Sequence, residues 1–325
     1  MNLGLYTAGR RGVDAPPLPA PASSTLADPA AYLPDACLVD AVNVALILGQ
    51  PLLLTGEPGC GKTQLASNLA WCLDLNPLLK YETKSDSTAE SLFYRYDSLR
   101  HFEASSRGDG GDPARFITWN ALGTAILATL PPEDRVRFVG DADVREPRRS
   151  VVLIDEIDKA PRDFPNDVLN ELEHLYFRVP ECGNAVLRAD DRYRPIVVIT
   201  SNSERDLPEP FLRRCVFHHI AFPDMDTVRH IALSHLGSHV RGLEPLLDEA
   251  VSLFAELRAE AAGLSRRPGL AEFLNWLMVL SEYRSTEGHL TSRTARGTIG
   301  VLAKTAADVQ RANAVVESWL ARRGG

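Results

Sequence analysis

The chain has 325 residues, of which 45% are hydrophobic and 24% charged, and carries a formal net charge of −8 at pH 7. That length can bury a real core in one large domain or two ordinary ones, and the composition is that of a soluble globular protein. The acidic balance argues against a protein whose main task is to grip nucleic-acid backbone.

The first residues, "MNLGLYTAGRRG", lack an apolar signal-peptide core. The most apolar stretch, "AVNVALILGQPLLL", is broken by Asn43 and Gln50 and is too short to span a bilayer. Five cysteines are scattered without a C-x-x-C pair, which reads as reduced thiols. A cytoplasmic location with no membrane contact is expected.

Residues 1–34 include the Pro-, Ala- and Ser-rich run "RRGVDAPPLPAPASSTLADPA" and read as a flexible leader. From about residue 35 short apolar runs alternate with helical patterns. Strands are expected at "PLLLT" (51–55), "LLKYETK" (78–84), "SVVLID" (150–155), "PIVVIT" (195–200) and "CVFHHI" (215–220). Such an alternation implies a parallel sheet covered by helices on both faces. After "FPDMD" only helical periodicity remains, as in "EPLLDEAVSLFAELRAEA" and "LAEFLNWLMVLSEY". An α/β domain at 35–222 followed by a smaller all-helical domain at 223–325 is the natural division. Residues 105–149 fit it poorly. They read as a turn-rich loop, a helix over "ARFITWNALGTAILATL" and a charged loop, together an insertion before the third strand.

"GEPGCGKT" (56–63) follows the first strand and opens a helix. Gly56, Gly59, Gly61, Lys62 and Thr63 match G-x-x-x-x-G-K-[ST], with Glu57, Pro58 and Cys60 between them and Gln64 just after. Glycines let backbone amides turn inward around phosphates, Lys62 would balance the β and γ oxygens, and Thr63 would offer a hydroxyl to Mg²⁺. A nucleotide and Mg²⁺ are therefore the expected ligands. Cys60 is either a thiol made reactive by a helix amino terminus and Lys62, which favour its thiolate, or a small residue tolerated for its size.

"VVLIDEID" puts Asp155 and Glu156 at the carboxyl end of a strand, where ligands sit in open α/β sheets. Asp155 would hold Mg²⁺ through its waters, and Glu156 would polarise the attacking water. "PIVVITSN" ends at Asn202, either a turn-forming residue or an amide that orients this water. "LPEPFLRRC" presents Arg213 and Arg214, either a charge pair compensating a helix dipole or an arginine finger for a neighbouring subunit.

The order GEPGCGKT, LIDEID, TSN, LRR and then a helical region resembles the AAA+ ATPases over residues 35–325. "GQPLLLTGEPGCGKTQLA", "LIDEIDKAPRDFPNDVLNELEH" and "LPEPFLRRCVFHHIAFP" are most similar to its MoxR branch. The resemblance implies a three-layer P-loop core with a five-stranded parallel sheet and a helical lid. It implies that the Asn202 strand lies between the strands of Gly56 and Asp155. It aligns Arg214 with the family arginine, leaving Arg213 as an extra candidate, and it likens 176–195 to an inserted hairpin. It likens 87–99 to a pore-side segment, with Phe93, Tyr94 and Tyr96 as contacts or else core aromatics. The family's lid arginine lies in a G-x-x-P-R pattern, whereas in "GLSRRPGLAEF" Pro268 is followed by Gly269, so either Arg266 or Arg267 takes its nucleotide-sensing role, or neither does.

The reading that results is an ATP hydrolase forming a homo-oligomeric ring, expected to have six subunits, that remodels a protein partner. The resemblance suggests a partner with a von Willebrand factor A domain and a link to defence systems. One rival is a GTP- or ATP-driven motor linked to nucleic acid, which the acidic balance disfavours. The other is a nucleotide switch without hydrolysis, which Glu156 disfavours.

Overall fold

The structure, a computed structural model, describes residues 26–140, 146–240, 242–282 and 288–323. The leader expected at 1–34 thus lies outside the described residues up to residue 25. Two compact units are formed. One comprises Pro34–Gly56 and Lys62–Ile220. The other gathers the chain from Ala221 with Glu57–Gly61 and the described residues before Pro34.

The α/β unit begins with α1 (Ala36–Leu48), capped by Asp35, whose side chain accepts from Leu38 N at 2.8 Å. Gly49, at φ 62°, ends it in the left-handed region that glycine enters most readily. There follow β1 (Leu52–Gly56), α2 (Lys62–Cys72), β2 (Leu79–Glu82), β3 (Tyr94–Tyr96), α3 (Ser98–Ser106), β4 (Ile117–Trp119) and α4 (Ala121–Thr129). Next come α5 (Pro132–Val139), β5 (Val151–Asp155), α6 (Phe164–Asp167), α7 (Leu169–His174), β6 (Tyr176–Val179) and β7 (Ala185–Arg188). β8 (Ile196–Ser201), α8 (Glu209–Leu212) and β9 (Val216–Ile220) complete the unit.

All five expected strands are present, as a parallel sheet in the order β2-β5-β8-β1-β9. Every residue of β1 and β5 is buried, as in a sheet covered on both faces, which is why these strands read as unbroken apolar runs. β8 lies between β5 and β1, as the family resemblance implied. The carboxyl ends of these three strands are therefore neighbours.

Residues 105–149 differ from the expectation. α4 is buried at every position but Thr124, and it packs on the sheet beside β2 and β5. A helix that is apolar all round belongs in a core. Burying Leu122, Ile126 and Leu127 contributes roughly 1.5–3 kcal/mol each. The expected single helix over 114–130 is also divided, since Ile117–Trp119 pairs antiparallel with β3. Asn120 fixes the corner, its backbone N–H donating to Phe93 O at 2.8 Å and its Nδ2 to Ser91 O at 2.7 Å. Gly123 passes so close that a Cβ there would lie 2.0 Å from Phe93 O, so no other residue fits without a shift of backbone.

The same packing decides between the two readings of the aromatics. Phe93 and Tyr94 are each 2% exposed, and Phe93 stacks on Phe177 with ring centroids 4.9 Å apart. They are core residues and not pore contacts; of the three only Tyr96 is half-buried. Phe177 belongs to the β6–β7 hairpin, which spans 176–188.

The helical unit contains α9 (Met225–Val240), α10 (Glu244–Arg258), α11 (Leu270–Glu282), α12 (Ser292–Thr298) and α13 (Ala306–Arg323). Phe254 stacks on Phe273 at 4.4 Å, beside fully buried Trp276, whose indole N–H donates to Thr298 Oγ1 at 2.7 Å. Among the described residues no helix is long and apolar enough to cross a membrane.

Candidate functional site

β1 delivers Gly56 at φ 150°, and α2 opens at Lys62, whose ammonium is buried and donates to Gly56 O at 2.7 Å. Gly59 and Gly61 have φ of 76° and 96°, conformations that side chains resist, so the loop needs glycine at both. The hydroxyl of Thr63, in the first turn of α2, donates to Asp155 Oδ1 at 3.1 Å. Gln64 follows it, half-buried.

Asp155 closes β5 and is 9% exposed. Its Oδ1 also accepts from Thr200 Oγ1 at 2.6 Å, and its Oδ2 lies 3.0 Å from Lys80 Nζ. Burial alone would raise its pKa, but the hydrogen bonds from Thr200, Lys80 and Thr63 outweigh it and hold the carboxyl below its ordinary value. The carboxylate is thus ionised and stands beside the hydroxyls of Thr63 and Thr200, an oxygen set that suits a hard divalent cation such as Mg²⁺. The residues present fit the metal.

Glu156 follows with φ 56° and ψ 53°, left-handed for a residue with a side chain, which costs of order 1–3 kcal/mol. Its backbone N–H donates to Thr200 Oγ1 at 2.9 Å. Its Oε1 accepts from Asn202 Nδ2 at 3.1 Å, and its Oε2 pairs with Lys159. Asp158, only 3% exposed, anchors the loop after β8 by accepting from the backbone N–H of Asn202 at 3.2 Å and of Glu204 at 3.0 Å. Asp155, Glu156, Asn202 and Thr63 are brought together as the sequence reading requires.

The arginines stand elsewhere. Arg214 donates to Glu173 Oε2 at 2.6 Å and to Pro210 O at 3.0 Å, while Arg213 pairs with Glu209. Each of these ion pairs is at the surface. In the helical unit Arg266 and Arg267 are exposed, and Arg267 pairs with Glu260 at 3.4 Å. The arginine that meets the phosphate-loop residues of this unit is Arg258, which sequence reasoning missed. It donates to Glu57 Oε2 at 2.9 Å and Pro268 O at 2.6 Å, and its guanidinium lies 3.3 Å from the Phe222 ring centroid. Pro58 O faces Gly269, where a Cβ would come within 2.8 Å, and Gly59 O accepts from Ala271 N at 3.3 Å. Cys60, one reading of which is a reactive thiol, is 7% exposed, and burial shields it from bulky reagents.

A parallel sheet with a glycine-rich loop, a buried lysine and a strand-ending carboxylate pair defines a P-loop nucleotide-binding protein of the AAA+ class. A family description, AAA domain (dynein-related subfamily), matches residues 51–215, and the chain belongs to that family. Among solved structures it is similar to the Thermotoga maritima RuvB Holliday junction branch migration motor, at 14% identity and a TM-score of 0.41. The match covers 85% of this chain and 66% of that one, just under two thirds of its length. No curated protein matches the chain.

Proposed function

We propose that the chain is a MoxR-like AAA+ ATPase that hydrolyses ATP between the subunits of a ring and uses the cycle to remodel a protein partner. The observation that carries the hydrolytic part is the 3.1 Å bond between Asn202 Nδ2 and Glu156 Oε1, beside an Asp155 joined to Thr63.

In this reading the amides of residues 56–61 and the Lys62 ammonium bind the phosphates. Asp155 and Thr63 would hold Mg²⁺, which would supply charge neutralisation for the phosphates. Glu156 accepts a proton from the water that attacks the γ-phosphorus, and Asn202 orients that water. Each Glu156 oxygen already accepts one hydrogen bond, from Asn202 or Lys159, and keeps a further lone pair with which the carboxylate can receive a water proton. Arg214 serves a neighbour's γ-phosphate, with Arg213 as the alternate, and Arg266 or Arg267 would sense nucleotide from the helical unit. The six-subunit ring and a von Willebrand factor A domain partner rest on the MoxR resemblance of the motifs.

The test is a pair of variants. Lys62→Ala should lose nucleotide binding, since it removes ground-state phosphate charge. Glu156→Gln should bind ATP as the parent does but turn it over about 10²–10⁴-fold more slowly. Hydrolysis by Glu156→Gln at the parental rate would remove Glu156 from the mechanism.

A further inference from the structure

Lys80 belongs to no motif, yet it touches the carboxylate on which the metal site depends. It lies on β2, an edge strand whose parallel register sets Glu82 beside Asp155. From there its ammonium reaches across to Asp155 Oδ2 at 3.0 Å and back to Glu82 Oε1 at 2.9 Å. Asp155 Oδ1 meanwhile accepts from the hydroxyls of Thr63 and Thr200.

The three donors around Asp155 are not equivalent. A hydroxyl that now donates can turn and offer a lone pair to a cation, whereas an ammonium has three donors and no acceptor. Thr63 and Thr200 can therefore accommodate a metal ion, and Lys80 can only oppose it by charge. Opposition between like charges a few ångströms apart is strong in a partly buried site and little screened by salt. The same ammonium anchors one carboxylate oxygen, which leaves the other directed at Thr63.

We propose that Lys80 is a positioning residue of the metal site, a resident counter-charge that acts through Asp155 and sets how weakly the site holds a divalent cation. Glu82 moderates it by sharing the ammonium. The proposal rests on the reading that Asp155 and Thr63 hold the metal, and its test separates the two.

The probe is Mn²⁺, titrated into the full-length protein with ADP present, with free Mn²⁺ read by electron paramagnetic resonance. Lys80→Met keeps the aliphatic stem and removes the charge, so its half-saturating Mn²⁺ concentration should fall at least threefold. Lys80→Arg keeps the charge and should stay within twofold of the parent. Glu82→Gln leaves Lys80 to Asp155 alone and should shift half-saturation at least twofold the other way. A merely structural role for Lys80 would weaken Mn²⁺ binding on its removal, never tighten it. Unchanged or weaker binding by Lys80→Met overturns the proposal while leaving the metal reading intact, provided that Asp155→Asn still loses Mn²⁺. Parental binding by Asp155→Asn overturns both. Should Lys80→Met fail to fold, Glu82→Gln decides, since unchanged or tighter binding there overturns the proposal as well.

Discussion

At the carboxyl ends of β5 and β8, Asp155 accepts from the buried Thr200 hydroxyl and buried Asp158 accepts from the backbone N–H groups of Asn202 and Glu204, whereas Arg213 and Arg214 near α8 are held by surface carboxylates. The first arrangement leaves its groups one geometry. The second is exchangeable, because an exposed ion pair is worth only about 0–1 kcal/mol. Groups that must meet a substrate in one fixed pose are preorganised within the chain. Groups that must meet another subunit gain from being lightly held at home, and this is the physical case for assigning hydrolysis to the first set and the trans contact to the second.

The comparison breaks first at Arg214. If it works in trans, Arg214→Ala should bind ATP nearly normally and lose about 10³-fold or more in turnover. Mixing it with inactive Lys62→Ala protein should restore part of the rate, because each variant supplies what the other lacks. Steady-state hydrolysis of the mixture no faster than the sum of its parts would assign Arg214 to its own chain's surface.

A smaller effect is expected at Asp158. Asp158→Ala leaves the N–H groups of Asn202 and Glu204 without their acceptor and should cost about 1–3 kcal/mol in denaturant unfolding. Asp158→Asn keeps one oxygen and should lose clearly less. Equal losses would mean that packing around the side chain, and not its hydrogen bonds, is what matters.

The smallest effect is expected at Glu173. Its carboxyl is held below its ordinary pKa by the hydrogen bond from Arg214, but both side chains are more than two-fifths exposed. Glu173→Gln should leave the denaturant unfolding midpoint unchanged within the scatter of repeated curves. A markedly larger loss would show that the arginine is fixed rather than available.

How much of this could be read in advance follows from the kind of signal. β1, β5 and β8 announce themselves as apolar runs because they are buried on both faces, and the residues at their ends are consecutive with them. Gly56 to Thr63 and Asp155 to Glu156 are local patterns whose spacing is their meaning. Arg258 and Glu57 are partners far apart in sequence, and nothing near either one signals the other. Lys80 reaches Asp155 only because β2 and β5 are neighbours, which strand order decides and local sequence does not. Phe93 and Tyr94 show a different limit. An aromatic side chain suits a core or a binding surface equally, and the close passage of Gly123 beneath Phe93 became visible only in three dimensions. α4 was legible as a helix but not as part of the core: the turn-rich residues before it set it in an insertion, while its own apolar content required burial.

The left-handed backbone of Glu156 bears on how the chain responds to selection. Glycine adopts that conformation without strain, so a glycine at position 156 would relax the turn while deleting the carboxylate. A screen scored only on survival of heat or protease would favour such a change and, if Glu156 is the base proposed above, return a sturdier protein that no longer turns over ATP. On that reading stability and turnover pull in opposite directions at this one residue, and libraries built for hardiness should keep it fixed.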